Sequence, residues 1–143
     1  MIIEKILVIH GPNLNLLGTR EPDIYGEESE EQLFQFIKNS FPDTEFIFFQ
    51  SNHEGFMIDE IHDKKNWADA MIINAGALSH YSYAIRDAIK AVSIPTVEVH
   101  ISDVNNREEF RKKLVLSDVC VKTISGKGKR GYLEAIKILK RLS

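Results

Sequence analysis

The chain has 143 residues, 43% of them hydrophobic, enough for one sizeable core without a metal or disulfide staple and too few for a two-domain enzyme. Its 18 Lys and Arg stand against 21 Asp and Glu, a formal charge of -3 that leaves no strongly basic surface for nucleic acid or anionic lipid and points to a small molecule or a protein as partner. The single cysteine, Cys120, excludes an intramolecular disulfide and a cysteine-pair metal site; it lies in an apolar stretch as a packing residue, and this usage fits a reducing cytoplasm.

The first residues lead straight into an apolar run, without the basic start, longer apolar stretch and small-residue cleavage site of an export signal. No apolar run approaches the ~20 residues that span a bilayer, so a soluble, cytoplasmic protein is expected. Nearly continuous β-branched or aromatic runs lie at Lys5–His10, Glu45–Gln50, Ala70–Asn74, 96–101 and 119–124, the pattern of strands buried on both faces. Helical period appears over 31–41 with Leu33, Phe34 and Ile37 inward, over 55–66 with Met57, Ile58 and Ile61, and over Tyr83–Val92 with Ala84, Ile85, Ala88 and Ile89. Further helices are predicted at 107–114 and 132–142. Pro42 and Pro95 stop helical continuation, Ser29 with Gln32 can form a capping box, and the acidic run 27–31 reads as a solvated helix start favoured by the macrodipole.

Five strand and helix alternations in one small chain predict an α/β fold, a flavodoxin-like doubly wound five-stranded parallel sheet of order 2-1-3-4-5 with helices on both faces. No repeat, low-complexity tract or linker divides it, so residues 1–143 form one domain. Ligands of such sheets bind beyond the carboxyl ends of the strands. Those positions are polar here: His10, Asn13 and Asn15; Gln50, Ser51, Asn52 and His53; Asn74, Ser79 and His80; Glu98, His100, Ser102 and Asp103. Turn and cap chemistry accounts for any one of them. Two histidines and several amides converging on one edge suggest a site.

The first connection, 11–28, is far longer than an ordinary strand-to-helix loop, which marks it as a lid or binding element with Gly18 and Gly26 as hinges. It holds Arg20 and Tyr25, and two readings stand: Arg20 pairs with Glu21 or Asp23 while Tyr25 anchors the loop, or the guanidinium favours a Tyr25 phenolate. A free phenol has a pKa of ~10, so a neighbouring cation would turn Tyr25 toward use as a general base. Gly126-Lys-Gly-Lys-Arg-Gly131 matches a dinucleotide-binding spelling, but the acidic residue required on a further strand does not follow, and a tight turn is expected instead. The five histidines show no metal-ligand spacing, and His62 reads as a surface or packing residue.

Four segments together resemble the type II 3-dehydroquinate dehydratases of the shikimate and quinate pathways. They are Gly11-Pro-Asn-Leu-Asn-Leu-Leu-Gly18 with Arg20-Glu-Pro-Asp-Ile-Tyr25-Gly26; Gln50-Ser-Asn-His-Glu-Gly55; Asn74-Ala-Gly-Ala-Leu-Ser-His80 with Ile85-Arg-Asp87-Ala; and Glu98-Val-His100-Ile-Ser102 with Arg107-Glu-Glu-Phe-Arg111. The match spans nearly the whole chain, and its family fold is flavodoxin-like. The resemblance implies a reversible, cofactor-free and metal-free anti elimination of water from 3-dehydroquinate through an enolate. Carried over, Tyr25 is the base supported by Arg20, Asn13 stabilises the enolate oxygen through an ordered water, and His100, oriented by Glu98, is the acid. Asn74 positions the leaving hydroxyl and the acid; Ser102 with the Ile101 and Ser102 amides holds the carboxylate; His80 and Arg111 contact the ring hydroxyls. Asp87 would serve a neighbouring subunit, implying trimers assembled into a homododecamer. Departures from the family pattern at 112–117 and 127–130 bear on subunit contacts rather than chemistry.

Other readings remain: a flavodoxin-like hydrolase or lyase acting on another small acid, or a non-catalytic flavin or nucleotide carrier. The carrier is disfavoured because no Gly/Ser/Thr-rich phosphate loop follows the first strand.

Overall fold

Strands β1 (Lys5–His10), β2 (Glu45–Gln50), β3 (Ala70–Asn74), β4 (Thr96–His100) and β5 (Lys122–Ser125) form one sheet of order β2-β1-β3-β4-β5, every pairing parallel. This is the flavodoxin-like arrangement expected from the alternation of runs. The computed structural model describes residues 2–19 and 21–143.

Strand side chains alternate between faces, and the alternation builds two cores. On one face Ile6, Val8, Ala70, Ile72, Val97 and Val99 pack beneath helices α2 (Glu30–Ser40) and α5 (Arg130–Lys140), which contribute Leu33, Ile37, Tyr132, Ile136 and Leu139. On the other, Leu7, Ile9, Met71 and Ile73 pack beneath α3 (Glu54–Asp63) and α4 (Tyr83–Val92), through Met57, Ile61, Ile85, Ala88 and Ile89. The Ser29 hydroxyl accepts from the Gln32 amide while the Gln32 side chain accepts from the Ser29 amide, the predicted capping box. Among the described residues no helix is long and apolar enough to cross a membrane.

Several elements differ from the sequence expectation. The last strand begins at Lys122 rather than 119, because Val119 and Cys120 close a 3-10 turn on Leu116 and Ser117 while Leu116 enters the core. Cys120 is half-buried, and burial pushes its thiol up to about 12, as a packing role requires. Residues 107–114 form no α-helix, only a 3-10 segment at Glu109–Lys112: Phe110 is exposed and Arg107 and Arg111 line a cavity, so no apolar face repeats there to stabilise a longer helix. Ala84, predicted inward, is exposed. The long first connection does carry structure of its own, a 3-10 turn at Leu14–Leu16 and a short helix α1 (Pro22–Tyr25) begun by proline, whose fixed φ suits a first helical position.

Candidate active site

The carboxyl ends of β1, β3 and β4 meet beneath the long connection. Gly11 and Ala75 approach so closely that a Cβ on Gly11 would lie 2.3 Å from the Ala75 carbonyl oxygen, so only glycine lets the two strand ends converge. Beyond them, Asn13 adopts a left-handed conformation at φ 71 and its amide donates to Asn52 Oδ1 at 2.9 Å. The resulting cavity of about 90 Å³ is lined by Asn13, Tyr25, Asn74, His80, His100, Ile101, Ser102, Arg107 and Arg111, among others. Strand-end polar residues from distant parts of the chain thus share one space.

Period-two alternation places Glu98 and His100 on the same side of β4, opposite Val97 and Val99. His100 Nε2 lies 2.7 Å from Glu98 Oε2; a carboxylate accepts, so Nε2 carries hydrogen and Nδ1 is left to exchange a proton. Glu98 is fully buried and also accepts from Ser117 Oγ at 2.7 Å and Thr123 Oγ1 at 3.0 Å. Burial pushes its carboxyl up, but the His100 hydrogen bond and charge, together with the two hydroxyls, outweigh burial and hold it below the ordinary carboxylate range. A negative charge is therefore held directly behind the imidazole.

His80 stacks on His100 with ring centroids 6.4 Å apart, and meets the Phe110 ring edge-on. Its Nδ1 donates to the Lys113 carbonyl at 2.9 Å, leaving Nε2 as an acceptor. Burial lowers the His80 pKa against the opposing hydrogen bond to the Lys113 carbonyl, and His100 and Arg111 add to the lowering. Arg111 is held by Glu108 Oε2 at 2.8 Å.

Tyr25 reaches the cavity from α1. Arg107 Nη1 donates to the Tyr25 oxygen at 2.6 Å and to Ser102 Oγ at 3.3 Å, and its guanidinium carbon lies 5.0 Å from the centre of the Tyr25 ring. Among the described residues, Arg107 Nε is buried without a hydrogen-bond partner. The sequence motif that places Arg111 at the site also carries Arg107 four residues earlier, a functional position that the sequence expectation leaves without a role. Arg20, assigned to the support of Tyr25, lies outside the described residues. Asp87 is exposed on α4 and is not among the residues that line this cavity.

Behind Asn74 stands a second group of polar residues that sequence reading did not assemble. His10 and Asn74 are paired across β1 and β3 and face the α2 and α5 layer, where Tyr132 lies. Glu30, read as part of a solvated acidic run, instead points to His10 from the first turn of α2, 2.7 Å from Nδ1. The signal available in the sequence was a histidine ending an otherwise apolar strand, which requires a buried partner. Among the described residues no three His, Cys, Asp or Glu are gathered to hold a metal ion. The Gly126 to Gly131 segment makes the expected turn into α5, and a Cβ added at Gly131 would lie 3.3 Å from the Ile124 side chain.

Comparison with known proteins gives one consistent result. The family model described as Dehydroquinase class II matches residues 4–140. The chain is 53% identical to a 3-dehydroquinate dehydratase of Caldicellulosiruptor saccharolyticus, over 98% of this chain and 99% of that protein. It is 50% identical to a catabolic 3-dehydroquinase of Sclerotinia sclerotiorum, over 96% and 92%. Its fold superimposes on the crystal structure of a type II dehydroquinase from Butyrivibrio crossotus with a TM-score of 0.93 at 51% identity, covering 96% of this chain and 97% of that one.

Proposed function

The chain belongs to the class II dehydroquinase family and carries its hydro-lyase activity, the dehydration of 3-dehydroquinate to 3-dehydroshikimate, and from that premise we propose how its side chains divide the reaction. Tyr25, as phenolate, takes the proton from C2. The electron pair moves into the C2–C3 bond and charge collects on the carbonyl oxygen as an enolate. As the enolate collapses, the C1–oxygen bond breaks and His100 gives its proton to the departing hydroxyl, releasing water and a conjugated enone. Proton exchange with solvent then restores phenolate and imidazolium. Every proton transfer is assigned to a side chain, so the proposed reaction uses no cofactor and no metal.

The observation that carries this division is the joint placement of a phenol against a guanidinium and an imidazole against a buried carboxylate around one cavity. Arg107 sets its positive charge against the Tyr25 oxygen, a role in which Arg20 also belongs. Asn13 stabilises the enolate oxygen through a water, and Glu98 orients His100. Asn74 positions the leaving hydroxyl. Ser102, with the Ile101 and Ser102 amides, holds the substrate carboxylate beside Arg107, while His80 and Arg111 meet the ring hydroxyls. Cationic walls suit an anionic substrate.

Asp87, exposed on α4, belongs to a neighbouring subunit's site, in trimers that assemble into a homododecamer in the cytoplasm. A relative named 3-dehydroquinate dehydratase and one named catabolic 3-dehydroquinase lie at similar identity, and both the aromatic amino acid route and quinate breakdown fit the enzyme. The test is direct: purified protein with 3-dehydroquinate and no added cofactor is expected to generate the ultraviolet absorbance of the enone. No absorbance change at adequate enzyme and substrate would refute the reading.

A further inference from the structure

Four side chains from four elements run in line behind the cavity. His10 Nδ1 lies 2.7 Å from Glu30 Oε2, His10 Nε2 lies 2.8 Å from the Tyr132 oxygen, and Asn74 Nδ2 lies 3.1 Å from that same oxygen. His10 and Tyr132 are fully buried and Asn74 is 4% exposed. With His10 neutral, hydrogen-bond chemistry allows one polarity. The Glu30 carboxylate accepts, so His10 carries its hydrogen on Nδ1; the bare Nε2 then accepts from the Tyr132 hydroxyl, which leaves the Tyr132 oxygen to accept from Asn74. At the far end the Gly76 amide, which can only donate, meets Asn74 Oδ1 at 3.2 Å. Both ends of the Asn74 amide are thereby assigned, and a flipped amide would set two donors against each other at Gly76. Burial lowers the His10 pKa, against the opposing pull of Glu30, which keeps the ring in the neutral form that this polarity needs.

We propose that Glu30, His10 and Tyr132 form a buried positioning chain that fixes the orientation of the Asn74 amide, so that one N–H and one oxygen lone pair of Asn74 are presented to the cavity at the leaving hydroxyl. None of the three touches the reacting atoms; they act through Asn74. The proposal rests on the reading of the cavity as the dehydration site. It assigns work to an acidic helix start, a strand-end histidine and a core tyrosine that the proton transfers leave unused. Preorganisation of this kind matters because misplacement of a contacting group is felt in the transition state more than in ground-state binding.

Tyr132→Phe removes the central hydroxyl and keeps the ring. Enone formation by this variant is expected to show kcat reduced about 10-fold with KM within about twofold, and its ligand-free NMR spectrum to show faster hydrogen exchange of the Asn74 side-chain amide. Phe34→Leu, which alters packing 4.9 Å from the His10 ring without touching a hydrogen bond, is expected to lower the melting temperature and leave kcat unchanged. If Tyr132→Phe does not fold, Glu30→Gln at the outer end of the chain is expected to reduce kcat about threefold at constant KM. A folded Tyr132→Phe with parental kcat and parental Asn74 exchange, parental kcat in Glu30→Gln, or a kcat loss in Phe34→Leu that follows its loss of stability would each overturn the chain. Because the exchange measurement needs no turnover, an absence of enone formation by the parent would remove the dehydration reading separately.

Discussion

The two faces of the sheet support the same cavity in different ways. On the α3 and α4 side, Glu98 is a buried carboxylate that accepts from His100, Ser117 and Thr123, a charge set directly behind the proposed acid. On the α2 and α5 side, Glu30, His10 and Tyr132 make a longer chain in which the carboxylate is at the partly exposed end and a neutral amide, Asn74, is at the cavity. In the proposed division, charge is held close to the group that moves a proton, and a relay of fixed polarity stands behind the group that is only aimed. Low surrounding dielectric strengthens both arrangements and makes each intolerant of a missing member.

The largest separation between the faces is expected from Glu98→Gln, which keeps shape and removes the charge behind His100. Its kcat should fall about 100-fold, well beyond the loss from breaking the Asn74 support, because general acid catalysis contributes ~10²- to 10⁴-fold. Equal losses from the two faces, measured by enone absorbance, would dissolve the distinction. Arg107→Lys, which replaces a fork of donors with one point charge beside Tyr25, is expected to cost about 10-fold in kcat; unchanged turnover would show that the Tyr25 contact is incidental. Combining Glu98→Gln with Tyr132→Phe should cost less than the product of the two losses, because both act on the same leaving hydroxyl, one through His100 and the other through Asn74. A fully multiplicative product would mean that the faces act independently.

The smallest effect lies in stability against pH, where the faces titrate in different windows. The folded pKa of His10 lies below its ordinary 6.5, so the unfolded chain binds the proton first and stability falls as pH drops from 6.5 through the lowered value. Glu98 is also depressed, from 4.5, so its stabilisation is complete above 4.5 and is lost as pH falls further through its folded value. In urea titrations His10→Asn should flatten part of the decline below pH 6.5, with His80 still contributing, while Glu98→Gln should lower stability above pH 4.5 and change the slope of stability against pH only below it. Overlapping changes of slope in the two variants would contradict this assignment of charge states.

The same contrast explains what could be read in the sequence. Strand runs were legible because each is apolar and continuous, and β1, β2 and β3 were bounded correctly by their terminal polar residues. Glu98 and His100 were legible because alternation on one strand places them on one face. The Glu30, His10, Tyr132 and Asn74 chain was not, since its members lie on four elements and only tertiary packing brings them together. Segment 107–114 was misread for a related reason: its charged residues are drawn to the cavity and to one another, which overrides helical spacing.

Tyr25→Phe tests the division of proton transfers most directly, with turnover followed by enone absorbance and 3-dehydroquinate binding by calorimetry on the same preparation. A Tyr25 base predicts that turnover falls by ~10²- to 10⁴-fold while binding stays within a few-fold of the parent. Near-parental turnover in that variant would contradict it and require another group to take the C2 proton.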